Sequence, residues 1–104
     1  MIMTMNNKIT GNWETRHVHL DKKHLDPRPS QKVWNHSPDG FSWSFGGSGS
    51  AHLALAILLK VTGNRETALM WYQKFKWEVI ATLPASDFKL DLDVLQWIED
   101  RETK

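Results

Sequence analysis

The chain contains no cysteine. Disulfides, thiolate zinc sites and thiol nucleophiles are thereby excluded. No apolar run approaches the roughly 20 residues that a membrane-spanning helix needs. Neither sign of charge dominates: 13 Lys and Arg stand against 12 Asp and Glu, for a net charge of +1. The charges are also evenly distributed, six basic and four acidic in residues 1–50, seven and eight in residues 51–104. The basic stripe of a dominant nucleic-acid binder is missing. So is the carboxylate run of an acidic DNA mimic. The opening Met1-Ile2-Met3-Thr4-Met5 lacks the charged region and long apolar stretch of a secretory signal. A cytoplasmic location is the expectation, with residues 1–6 a disordered start.

What is present is an ordinary globular composition, 40% apolar and 24% charged over 104 residues. A chain of this length makes one core and buries roughly 60–70% of its unfolded surface. One domain over residues 7–98 and a polar tail over 99–104 are expected. Six tryptophans are many for this length. Trp rarely hides completely and favours core edges and contact surfaces.

Along the chain, Lys8 to Gly11 reads as a weak strand. Arg16-His17-Val18-His19-Leu20 alternates, with Val18 and Leu20 on one face and His17 and His19 on the other. Asp21-Lys22-Lys23 is a turn that returns through His24-Leu25. Pro27 and Pro29 stop the ladder, because proline has no N–H to donate, and residues 30–34 are expected to be extended. Ser37-Pro38-Asp39-Gly40 fits a type I turn. Phe41, Trp43 and Phe45 then alternate on one face of a short extended piece.

Ser50 is a candidate N-cap for a helix over residues 51–62 that is apolar nearly all round, hence buried in the middle of the domain. Gly63-Asn64 ends it. A second helix spans residues 65–83 and stops before Pro84. Ala68, Leu69, Tyr72, Phe75, Val79, Ile80 and Leu83 form its buried face. Met70 and Trp77, one heptad apart, lie roughly 140–160° from Tyr72. Residues 87–90 are extended, and a last helix begins near Leu92 behind Asp91, with Val94, Leu95, Trp97 and Ile98 facing inward. The fold class is α+β: a small N-terminal β-hairpin or sheet, about three helices, and a buried central helix.

Residues 35–49 read Asn-His-Ser-Pro-Asp-Gly-Phe-Ser-Trp-Ser-Phe-Gly-Gly-Ser-Gly, followed by Leu53-Ala54-Leu55-Ala56. With Leu25-Asp26-Pro27-Arg28, Tyr72-Gln73-x-Phe75-Lys76-x-Glu78-Val79-Ile80-Ala81 and Leu83-Pro84, this resembles a small bacterial and phage family whose function is unknown. The resemblance covers residues 8–98. It implies no activity. The family's occurrence in prophages and plasmids implies an accessory role on mobile elements. Three positions depart from the pattern: Ser44 where glycine is usual, Phe45 where tyrosine is usual, and Ser50 where proline is usual. Loss of the tyrosine hydroxyl at Phe45 argues against that group as an essential acid.

Several residues admit a functional and a plain structural reading. Gly46, Gly47, Ser48, Gly49 and Ser50 open a helix, where N–H groups and the helix dipole suit a phosphate or carboxylate. The plain reading is a tight turn that lets the apolar helix pack closely. The loop is no P-loop, since no Gly-Lys-Ser/Thr follows, and no dinucleotide fingerprint, since His52 stands where the third glycine belongs. Ser48 lacks the final glycine of a nucleophile elbow, and the chain is too short for that fold. His36 and His52 flank the loop; with Asp39 they make an acid/base set, or else they order the loop and sit near solvent in the first helical turn. His17, His19 and His24 supply three imidazoles, enough for zinc, but no spacing places a further ligand and an exposed strand face explains them as well. No metal or cofactor is therefore assigned. The aromatics suit base stacking, yet only Lys74 and Lys76 accompany Trp71 and Trp77, and core packing accounts for most of them. Met70, Trp71, Lys74 and Trp77 form the candidate protein-contact face, because Trp and Met are enriched at interfaces.

No catalytic constellation emerges, so a non-enzymatic role is expected. The leading expectation is a binding protein of a phage or mobile element. Its concrete form is an inhibitor of a host defence system, such as a CRISPR effector, that occludes a host or phage protein complex. It is expected to be a monomer or weak homo-oligomer without membrane attachment. The alternatives are an anion- or nucleotide-binding module at the glycine loop, and a nucleic-acid-binding accessory protein.

Overall fold

The computed structural model describes residues 6–33 and 40–102. His36, Asp39 and most of the expected turn over residues 37–40 lie outside the described residues, as does nearly all of the expected disordered start.

The alternating N-terminal segments form strands β1 (Asn7–Gly11), β2 (Val18–Leu20) and β3 (Lys23–His24). A further strand, β4 (Phe88–Leu92), comes from the far end of the chain. The sheet order is β3-β2-β1-β4 and every pairing is antiparallel. Ile9, Val18, Leu20 and Phe88 point into the core, while Lys8, Thr10, His19 and Lys89 are exposed on the other face. This is the period-two division that the sequence pattern dictates. The turn between β2 and β3 has φ of 52° at Asp21 and 70° at Lys22. Two consecutive left-handed residues form the primed turn that matches strand twist. Asp21 also ties the turn to β1, its carboxylate accepting from the Lys8 N–H at 2.8 Å and the Asn7 amide at 3.0 Å.

Among the described residues the sheet is accompanied by four α-helices, and the second of them contacts the other three. The first, α1 (Arg28–Val33), replaces the extended conformation expected for residues 30–33, and residue 34 of that expectation lies outside the described residues. Its prolines are the reason. Pro29 sits in the first turn, where its missing N–H costs nothing. Asp26 receives the Arg28 N–H at 2.9 Å, which starts the helical turn. The Arg28 guanidinium forks onto the same carboxylate and lowers the Asp26 pKa to about 2.

Helix α2 (Ser48–Thr62) is the buried centre, with every residue from Ser50 to Leu58 buried. It ends as expected at Gly63, whose φ of 63° lets its N–H bond to the Leu59 carbonyl. Its start differs from expectation. The cap is Gly47 in extended conformation, with no side-chain hydrogen bond, and Ser50 lies fully buried within the first turn. The glycine run accounts for this, because it leaves no side chain ahead of Ser48 to make a cap.

Asn64 caps α3 (Arg65–Phe75), its side chain accepting from the Thr67 N–H at 3.0 Å. The expected helix over residues 65–83 is not continuous. From Lys76–Ile80 the chain widens into a π turn, closed by the Ala81 N–H on the Lys76 carbonyl at 2.8 Å. The Ile80 carbonyl, at the end of that turn, accepts from Ser44 at 3.1 Å. The last helix, α4 (Val94–Glu102), starts later than expected because β4 runs through Leu92. Its cap is Asp93, which accepts from the Gln96 N–H at 3.0 Å, rather than Asp91. The helix also continues beyond residue 98. No helix among the described residues is long and apolar enough to cross a membrane.

Aromatic rings close the core. Trp43, fully buried, meets Phe88 edge to face at 4.8 Å and Trp13 at 5.6 Å. Its indole N–H donates to the Ser86 carbonyl at 2.9 Å. Trp97 meets Phe75 at 4.9 Å.

Candidate functional site

The loop that leads into α2 carries three aromatics that the two-residue alternation would put on one face. The structure separates them. Phe41 and Trp43 are buried, and Phe45 is 52% exposed. Ser44, between them, has φ of 76°. This left-handed residue turns the chain and sends Phe45 outward. A glycine at this position would take the conformation without strain.

After the turn come two adjacent glycines, and each lies beneath an exposed ring. A Cβ placed on Gly46 would lie under 3.0 Å from three atoms of the Trp77 ring. A Cβ on Gly47 would lie within 3.4 Å of three atoms of the Phe45 ring. The dipeptide is thus a flat seat for two aromatic side chains. Gly49 serves backbone packing instead: a Cβ there would be 2.8 Å from the Ser42 Cβ and 3.2 Å from its nitrogen, and the Ser42 N–H donates to the Gly49 carbonyl at 3.1 Å.

Trp77 reaches this seat from the π turn. It is 60% exposed. The Lys76 ammonium lies 4.6 Å from the centre of its ring, although Lys76 itself is buried. A cation over the indole face is attractive, the more so when partly desolvated. Met70, one heptad earlier, is 70% exposed. Lys74 is exposed and pairs with Glu78 at 3.9 Å, and Glu78 also receives the Arg101 guanidinium.

The other proposed site residues fall elsewhere. Trp71 is half-buried, set edge to face on Trp97 at 6.3 Å, so it belongs to the core edge. Ser48 is exposed at the first position of α2. Ser50 is fully buried, and its hydroxyl has no hydrogen-bond partner among the described residues. His52 does not sit near solvent as expected. It is fully buried, with Nδ1 3.5 Å from the Ser30 hydroxyl on α1. The helix is apolar on every side, so α1 covers the face that carries His52. His36 lies outside the described residues.

Sequence reasoning put Met70 and Trp77 either between two layers or on an exposed apolar patch; both are exposed, and so is Phe45, which it had grouped with Phe41 and Trp43. It read the glycines as a tight packing turn or an anion site; in the structure a Cβ on Gly46 would meet the Trp77 ring and one on Gly47 the Phe45 ring. The available signal was an aromatic followed directly by two glycines, with Ser44, where glycine is usual in the resembled family, just before.

No curated protein and no solved structure matches the chain. A family model matches residues 8–100, nearly the whole length. On that match the chain belongs to a family of unknown function, DUF6166.

Proposed function

We propose that the protein is a non-enzymatic, cytoplasmic binding protein that acts through the aromatic face made by Phe45, Met70 and Trp77. The observation that carries this reading is the seating of Trp77. Its ring is mostly in solvent, yet it is held against Gly46 and the Lys76 ammonium. An exposed aromatic that is already fixed loses little rotamer entropy on binding. Trp is also the residue type that most often dominates interface energetics. A partner that offers an apolar pocket bordered by acidic groups suits this surface, because Lys74 stands at its edge.

The concrete form of the proposal is an inhibitor carried by a phage or mobile element that occludes a host defence complex, for example a CRISPR effector. The test is phage plating on a defended host that expresses the protein. The intact chain should restore plating, and Trp77→Ala and Met70→Ala should abolish the effect while leaving the circular dichroism unchanged. Restored plating by Trp77→Ala would remove the aromatic face from the mechanism. No restoration by the intact chain, across hosts with different defence systems, would remove the inhibitor reading.

A second reading rests on the α2 N-terminus, where no side chain caps the first turn and the buried Ser50 hydroxyl has no partner among the described residues. These groups suit a small anion. Thermal shift with phosphate and nucleotides separates this reading from the first, since a ligand of the folded state must raise the midpoint.

A further inference from the structure

One edge of the sheet is β3, of two residues, and the other is β4, of five. β4 pairs with β1 in unbroken register from Phe88 to Leu92, with no bulge and no proline. Backbone groups along a strand alternate between its two edges. In β1 the groups of Lys8 and Asn12 serve β2: the Lys8 carbonyl accepts from the Asp21 N–H at 2.7 Å, and the Asn12 N–H donates to the His17 carbonyl at 3.0 Å. Ile9 and Gly11 therefore serve β4, where Leu90 and Phe88 stand opposite them. The N–H and C=O groups of Lys89 and Asp91 are left on the outer edge, and no strand among the described residues pairs with them.

An open edge is a template for another strand, and proteins blunt it with proline, bulges, covering segments or charge. β4 carries charge: the side chains of Lys89 and Asp91 are exposed on the solvent face. What that charge does depends on what lies opposite. For a second copy of β4 laid antiparallel across the edge, three registers centre on these two residues. Two of them set Lys89 against Lys89 or Asp91 against Asp91, and like charges directly opposite are destabilising. The third sets Lys89 against Asp91 of the second copy, and the reverse, with half-buried Leu90 meeting its own counterpart on the two-fold axis. Each Asp91 then lies between Lys8, its direct partner in β1, and Lys89 of the second copy. Asp87 and Asp93 would face each other at the two ends. Their carboxylates already accept from the Trp13 N–H at 2.7 Å and the Gln96 N–H at 3.0 Å, which confines the paired stretch to β4 itself.

We propose that the outer edge of β4 is a self-association surface, on which a second copy of this chain pairs antiparallel about Leu90 and joins the two sheets into one. The charge pattern selects this occupant. A two-fold contact needs an edge complementary to itself, and opposite charges on either side of one apolar residue meet that need. The contact adds a single ladder, so it is small and the dimer is weak and concentration-dependent. It shares no residue with the aromatic face.

Sedimentation equilibrium of the full chain, from micromolar to millimolar concentration, should show a reversible monomer–dimer equilibrium. Lys89→Asp leaves two acids on the edge and Asp91→Lys two bases, so each variant alone should dimerise at least about tenfold more weakly. An equimolar mixture of the two restores both opposite-charge pairs and should associate as the intact chain does. Circular dichroism checks that both variants fold. A second measurement needs no variant: in the intact chain the Lys89 and Asp91 amides should exchange with solvent more slowly as concentration rises. Trp77→Ala should dimerise unchanged. The proposal is overturned by a chain that stays monomeric at millimolar concentration, by a mixture of folded variants that associates no better than its components, or by a dimer in which the Lys89 and Asp91 amides gain no protection. Loss of the dimer in Trp77→Ala overturns it too, by moving the contact to the aromatic face.

Discussion

Two glycines under aromatic rings should respond differently to the same added methyl group. In Gly11→Ala the new Cβ lands within 3.0 Å of three atoms of the Phe88 ring. Phe88 is only 4% exposed and is held against Trp43 at 4.8 Å. It has nowhere to go, so the core is overpacked, at a cost of about 1–3 kcal/mol. In Gly46→Ala the clash is with Trp77, equally close on paper. That ring is the free end of a side chain that is 60% exposed, and it can swing out. Gly46 has no positive φ, so alanine suits its backbone and stabilises by about 0.4–1 kcal/mol through the unfolded chain. The loss of the Trp77 contact offsets that gain, and the net change should stay within about 1 kcal/mol. Each kcal/mol corresponds to about 4–8 °C in melting midpoint for a domain of this size. Thermal and urea unfolding of both variants, with the Trp77 indole N–H followed by NMR, reads both effects. Gly11→Ala should melt several degrees lower with the Trp77 resonance in place. Gly46→Ala should melt near the intact protein with that resonance displaced. Equal destabilisation of the two, or an unmoved Trp77 resonance in Gly46→Ala, would refute the assignment of the glycine pair as a ring seat.

Four other outcomes follow from single sites. Ser44→Gly should leave the fold intact and raise stability by up to about 1 kcal/mol in chemical denaturation, because it relieves a left-handed backbone at φ 76°. Asn64→Ala removes the α3 cap and should cost about 1 kcal/mol by the same measurement. Trp43→Ala opens a cavity in the centre of the aromatic cluster and orphans the Ser86 carbonyl, at a cost of about 3–5 kcal/mol, enough to unfold much of the population at 37 °C. Arg28→Ala removes the main cause of the low Asp26 pKa, so the Asp26 carboxyl should titrate nearer the ordinary carboxylate range when followed by carbon-13 NMR. A folded pKa below the unfolded one contributes stability above the unfolded pKa that disappears as pH falls toward 2. The variant should therefore show a flatter stability profile between about pH 4 and pH 2.

Much of this protein was fixed by local pattern. The apolar residues of α2 demanded burial on all sides, whatever surrounded them. Gly63-Asn64 marked a helix stop, because glycine tolerates positive φ. The alternation of Val18 and Leu20 with His17 and His19 set which face of β2 was wet. Helical spacing set Met70 and Trp77 nearly opposite the Tyr72 face, which left them either between two layers or on an exposed patch. Each of these depends on neighbours within a turn or two of chain. What only the tertiary structure decided was anything that required two distant segments to meet. β4 joined β1 across some 80 residues, which moved the start of the last helix and its cap. The glycines at 46 and 47 read as a tight packing turn or as a cradle for an anion, because their spacing says only that a side chain is missing. What fills the space was set by Trp77, 31 positions away in the chain on a π turn. His52, a surface residue by its place in the first helical turn, became a core residue once α1 covered it. A sequence shows where bulk is absent and where polarity sits; the fold decides what moves into the gap and what ends up beneath it.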